Sequence, residues 1–161
     1  MSTAQHATST WAIVAIDPTI ADDLRAAGGP VYVADSYPGY PCRQCLRDAA
    51  VGDELVLVSY DPFAATSPYR CASPVFLHRT RCTPYESVPA LPEQLTSRTL
   101  SVRAFDRSAM MLDAALIDGD ELGVTIGRLL TDPLVDHLHL HNASRGCFAA
   151  RVDRIGATAP V

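Results

Sequence analysis

Short runs of β-branched, aromatic and aliphatic residues recur along the chain, each closed by Pro, Gly or Asp-bearing turn signals, and they predict strands. "WAIVAI" (11–16), "PVYVAD" (30–35), "DELVLVSY" (53–60) and "SPVFLHR" (73–79) are the first of these. In the second half, "SRTLSVRAF" (97–105) and "AMMLDAALI" (109–117) read as a hairpin joined by residues 106–108. "LVDHLHLHN" (134–142) and "GCFAARVDR" (146–154) read as another, joined by "ASR".

Helical signals are fewer. "DPTIADDLRAAGG" offers Pro18 at a first helical position and Gly28-Gly29 as a stop. Pro41 could likewise open a short helix to about Ala50. The strongest pattern spans 118–133, where Asp118 and Glu121 imitate a capping box. Leu122, Ile126, Leu129 and Leu130 form its apolar stripe, and Pro133 ends it. The Pro-bearing "SVPALPEQLTS" reads as a surface loop. The expectation is one α+β domain over 1–161, a mainly antiparallel sheet with two or three short helices, and flexible ends at 1–10 and 155–161.

Composition narrows the chemistry. A 161-residue chain with 48% hydrophobic and 19% charged residues builds one packed core without staples. A net charge of −5 argues against broad nucleic-acid or anionic-membrane binding. No apolar run reaches the roughly 18 residues of a membrane span, and "WAIVAI" is short and lacks a basic flank, so the expected address is cytoplasmic. Five cysteines then read as free thiols or ligands rather than disulfides. All thirteen basic residues are arginine. Without lysine there is no Schiff-base enzyme, pyridoxal-phosphate anchor or Walker phosphate loop. Neither GxGxxG nor GxSxG occurs, and Asp132, Asp136 and Asp153 have no acid/base spacing.

Three groups of residues carry candidate chemistry. On a strand, His137, His139 and His141 share one face, about 6.7 Å apart as neighbours and about 13 Å end to end. His139 and His141 are the candidate metal pair, with Asn142 orienting a ring or ligand; a solvated sheet face is the bland alternative. In "PCRQC", Cys42 and Cys45 would lie on the opening turn of a helix, where its positive end and Arg43 favour thiolate. That suits a nucleophile, a redox pair or two metal ligands completed from Cys71, Cys82, Cys147 or the histidines; two packed cysteines are the alternative. Around strand 73–79, His78 shares a face with Phe76, while Tyr69, Arg70, Arg79 and Arg81 cluster near the strand's ends and could hold an anion.

The blocks "YPGYPCRQCLRDAAVGDELVLVSYDPF", "SPYRCASPVFLHR" and "LHLHNASRGCFAARVDR" resemble, in this order, a bacterial family known as domain of unknown function 1203. The resemblance covers roughly 30–154 and implies a soluble single-domain protein with no transferable activity.

The reading that follows is a small-molecule enzyme with a polar pocket lined by Cys42, Cys45, His78, His139 and His141, acting on an anionic substrate. Cys42 would be nucleophile or ligand, Cys45 the resolving thiol or second ligand, and His78 and His141 proton carriers. Arg43, Arg70, Arg79 and Asn142 would bind substrate, with zinc or iron on His139 and His141. The rivals are a non-catalytic module for a small anion or a protein, and a domain with a purely structural zinc site.

Overall fold

The computed structural model describes residues 10–156. Most of the flexible ends expected at 1–10 and 155–161 therefore lies outside the described residues. Where it does not, the backbone is tied down: Ile155 N donates to Thr10 O at 2.8 Å.

Among the described residues eight strands form from the alternating runs: β1 (Trp11–Val14), β2 (Val31–Val33), β3 (Glu54–Tyr60), β4 (Ser73–His78), β5 (Thr99–Phe105), β6 (Met111–Asp118), β7 (His137–Asn142) and β8 (Phe148–Arg154). They make two antiparallel sheets, one in the order β1-β8-β7-β5-β6 and one in the order β2-β3-β4. Three helices complete an α+β domain: α1 (Pro18–Ala27), α2 (Glu93–Thr96) and α3 (Leu122–Leu129). None is long and apolar enough to cross a membrane.

Helix α1 starts where Asp17 accepts from the amides of Thr19 and Ile20, with Pro18 behind it, and ends at Gly28, whose φ of 79° takes the chain out of the helix. The predicted helix over 118–133 is shorter. A single 3₁₀ turn (Gly119–Glu121) precedes α3, and Asp118 makes no side-chain cap, so the capping box does not form. Gly119 is needed there for a packing reason: a Cβ would stand 2.3 Å from Leu95 O. Helix α2 replaces part of the predicted surface loop. Pro92 leads into it, and Leu95 is fully buried.

The main core lies on one face of the five-stranded sheet. Leu122, Ile126 and Leu129 of α3 pack on Leu100 and Val102 of β5, Leu138 and Leu140 of β7, and Val152 of β8. The opposite face of β7 carries the three histidines. They do not line a solvated surface as the sequence pattern allowed: His137 is 7% exposed, His139 0% and His141 3%. The reason is topological. Strand β7 lies between β5 and β8 inside the sheet, and Phe63, Phe105 and Phe148 cover its second face.

The smaller sheet meets this layer where β4 approaches the start of β8. Ser73 Oγ accepts from Phe148 N at 2.8 Å. Ile16 N donates to Arg43 O, and Arg43 N to Phe76 O, so the 41–50 segment is bonded to both sheets' surroundings.

Candidate metal centre

Residues 41–50 do not form the expected helix. Pro41 bridges Asp48, Cys42 bridges Phe76 of β4, and Cys42 N donates to Arg47 O at 3.0 Å. Residues 41–46 are all buried, so no amphipathic face exists for a helix to present. Hydrogen bonds across to β4 outweigh the weak local propensity. Leu46 adopts φ 53°, a left-handed conformation with a typical cost of about 1–2 kcal/mol, held because its side chain is in the main core. This tight turn, rather than a helix start, directs Cys42 and Cys45 to the same side.

Two more donors arrive from the small sheet. His78 is the last residue of β4, and Cys82 follows four residues later in the loop beyond it. One ligand atom from each of Cys42, Cys45, His78 and Cys82 lies within 4.8 Å of all the others. Cys42 Sγ and Cys82 Sγ are 3.8 Å apart, and Cys45 Sγ is 3.7 Å from His78 Nδ1. Donors bonded to one tetrahedral ion at about 2.0–2.3 Å stand roughly 3.4–3.8 Å from each other. The two measured separations fall in that range.

The surroundings orient these donors. His78 Nε2 faces Asp53 Oδ2 at 3.3 Å, leaving Nδ1 toward the thiols. A carboxylate behind a histidine fixes ring orientation and raises ligand basicity at metal sites. Asp53 is itself held by Ala50 N, which donates to the same Oδ2 at 3.0 Å. His78 N donates to Cys42 Sγ at 3.4 Å, and Arg25 Nη2 of α1 points to Cys82 Sγ at 3.8 Å. Arg25 also bonds Gln44 Oε1 and His78 O, so the one guanidinium ties three parts of the centre.

Electrostatics follow from this crowding. The Cys42 thiol is pushed well below its usual value, first by hydrogen bonding from Cys45 and then from Cys82 and His78. Cys45 is pushed far up, because its proton serves the Cys42 sulfur beside it. His78 is raised to about 10 by its hydrogen bonds to Cys42 and Cys82. Two like charges about 4 Å apart repel by roughly 4 kcal/mol at an effective dielectric of 20. Removing the Cys45 proton as well would set thiolates side by side here, which a bound cation would offset.

The structure brings Cys42, Cys45 and His78 together and leaves His139 and His141 elsewhere. The latter pack against Phe148, their ring centroids are 6.3 Å apart, and among the described residues neither joins a group of three or more metal donors. The single pocket expected to hold both thiols and strand histidines is thus not formed. His139 is held well below its usual value, at about 3, and His141 at about 4, chiefly by burial. His137 is lowered by the same cause, although Asp136 partly offsets it. His141 Nδ1 bonds Gly146 O at 2.8 Å, while both His139 ring nitrogens and His141 Nε2 have no partner among the described residues.

The arginines expected to hold an anion are dispersed. Arg43 is 2% exposed and donates to Phe148 O and Pro41 O, a strut between the 41–50 turn and β8 rather than a solvent-facing fork. Arg70 pairs with Asp61 and Arg79 with Glu54 at the surface. Asn142 is half-buried at the end of β7, and its Oδ1 has no partner among the described residues.

Cys82 is the ligand candidate that sequence reasoning left among several possibilities. A signal for it exists: Cys42-x-x-Cys45 followed by His78-x-x-x-Cys82 reproduces the paired ligand spacing of zinc sites.

Fold and cluster together define a small α+β domain with a Cys₃His donor set at the junction of a three-stranded sheet and its loops. The chain belongs to the family described as protein of unknown function DUF1203, whose model matches residues 39–154. That span contains all four donors but not α1, which supplies Arg25. Neither a curated protein nor a solved structure matches the chain.

Proposed function

We propose that Cys42, Cys45, His78 and Cys82 hold one zinc ion in a closed, structural site that staples the fold of the domain. The observation that carries this reading is the convergence of four soft and borderline donors from three separate segments to within 4.8 Å, with the Cys42–Cys82 and Cys45–His78 pairs at the separation of tetrahedral ligands. Three thiolates and one imidazole suit zinc better than oxygen-seeking cations. Four protein donors complete a tetrahedral shell, whereas catalytic zinc keeps a position for water or substrate.

The ion would do structural work. Residues 79–92 contain no regular element, and they run from the end of β4 to α2. Cys82 anchors this segment to the 41–50 turn, and Tyr85 N reinforces it by donating to Gln44 O at 2.9 Å. Binding energy at such a site appears as folding energy, because the ion would join segments that the unfolded chain holds apart.

Metal analysis of protein purified without a histidine tag tests this directly. The expected result is one zinc per chain, with chelation lowering the melting temperature and zinc restoring it. Metal that leaves without loss of stability would support a catalytic site instead. Substoichiometric metal, with thiols alkylated at ordinary rates or a Cys42–Cys82 disulfide, would remove the zinc reading.

A further inference from the structure

Cys42 and Cys82 bring their sulfurs to 3.8 Å, yet the chain holds the two residues very differently. Cys42 is fully enclosed, and its backbone is pinned: Cys42 N donates to Arg47 O and Arg43 N to Phe76 O, each at 3.0 Å. Cys82 is half-buried and sits on the irregular segment beyond β4. Backbone bonds hold that segment at Arg79, to Glu54 O, and at Tyr85, to Gln44 O. Among the described residues, 80–84 make none. Residues 79–81 and 83–84 are exposed, so solvent has access on this side of the centre.

Reactive cysteines sit in electropositive, partly exposed surroundings. Cys82 has both, since Arg25 Nη2 lies 3.8 Å from its sulfur. To form a disulfide, the Cys42 and Cys82 sulfurs must close by roughly 1.8 Å. The unbonded span 80–84 can supply that movement, whereas the 41–50 turn cannot. Cys45 is the poorer partner. It is buried, and its sulfur is turned toward His78 Nδ1 at 3.7 Å and Arg47 O at 4.0 Å.

We infer that the centre is a peroxide-sensitive switch, in which oxidation joins Cys42 to Cys82 and releases the metal. The switch rests on the zinc reading and adds a way for the ion to leave. Cys82 attacks the peroxide: an S–O bond forms, the O–O bond breaks, and the departing hydroxide takes a proton to become water. Cys42 then attacks the Cys82 sulfur: the S–S bond forms, the S–O bond breaks, and a second hydroxide leaves as water. The two sulfurs together lose two electrons, which the peroxide gains. Cys45 and His78 remain, two donors where a structural zinc site uses four. The disulfide ties the segment beyond β4 to the 41–50 turn, the same connection that the ion makes.

The test uses the full chain purified under a reductant, so that no disulfide precedes the oxidant. The reductant is then removed and zinc content is measured. Hydrogen peroxide equimolar with the protein is the probe; a chromophoric chelator reads released zinc, and peptide mapping reads disulfides. The expected result is loss of one zinc for each Cys42–Cys82 disulfide formed, ahead of any modification of the exposed Cys71. Dithiothreitol with added zinc should restore the starting state. The double variant Cys71→Ser, Cys147→Ser should release zinc as fast as wild type. Three results would each overturn the switch: zinc kept while Cys71 is oxidised, release with a Cys42–Cys45 disulfide or sulfinic acid instead, or release abolished in the double variant. In all three the starting zinc content stands, and the zinc reading with it. A reduced sample without zinc at the outset overturns both.

Discussion

The buried histidines of β7 make a quantitative prediction about acid. His139 is wholly enclosed, with ring centroids 4.9 Å from Phe63, 4.8 Å from Phe105 and 5.4 Å from Phe148. A proton there would be desolvated, and it would arrive beside His137, His141, Arg151 and Arg103, all of which disfavour it. With folded values of about 3 for His139 and about 4 for His141, against 6.5 in the unfolded chain, the unfolded state takes up protons first. Stability from these groups is present above about pH 6.5 and is lost as pH falls from there, down to about 4 for His141 and about 3 for His139. At pH 5 each contributes a loss of about 2 kcal/mol, or about 4 kcal/mol for the pair. The perturbation that isolates one of them is His139→Phe, which keeps a ring in the aromatic cage and removes its titration. Urea unfolding at pH 8 and pH 5 measures the difference. Wild type should lose about 2 kcal/mol more than the variant between the two pH values. Metal release in acid is common to both proteins and cancels in the comparison. Equal losses in the two would refute the claim that His139 is buried and neutral.

Other substitutions probe the centre and its supports. Cys82→Ser should lower zinc occupancy at least about tenfold in competition with a chromophoric chelator, while Cys71→Ser, an exposed thiol, should leave it unchanged. Asp53→Ala should weaken zinc binding by about 10–100-fold without changing stoichiometry at saturating metal, because the carboxylate orients His78 and is not itself a ligand; unchanged affinity would show that the His78–Asp53 contact is incidental. Arg43→Met should cost about 2–4 kcal/mol in denaturant unfolding, since it strands the Phe148 and Pro41 carbonyls. Arg79→Ala, which breaks only an exposed pair with Glu54, should change stability by less than about 1 kcal/mol.

Strand content was readable because period-2 alternation is a local property. The runs at 53–60 and 73–79 became β3 and β4 within a residue at each end. What could not be read was sheet order. The same "DHLHLHN" pattern fits an edge strand with a wet face or a central strand with two dry ones, and only the pairing of β7 with both β5 and β8 decides between them. The 41–50 turn failed for a related reason. Proline and a cysteine pair suggest a helix start, but long-range bonds to Phe76 and the burial of six consecutive residues favour a turn. Helix α2 was hidden by prolines at 89 and 92, although Pro92 leads into it. Cys42, Cys45 and His78 were visible as donors, whereas their meeting with Cys82 depends on the β3–β4 pairing that brings His78 opposite Leu55.

X-ray absorption at the zinc edge of the tag-free protein tests the central claim most directly. The account predicts one zinc per chain with three sulfur neighbours at about 2.3 Å and one nitrogen at about 2.0–2.1 Å. A shell of nitrogen and oxygen alone, or no bound metal, would contradict it.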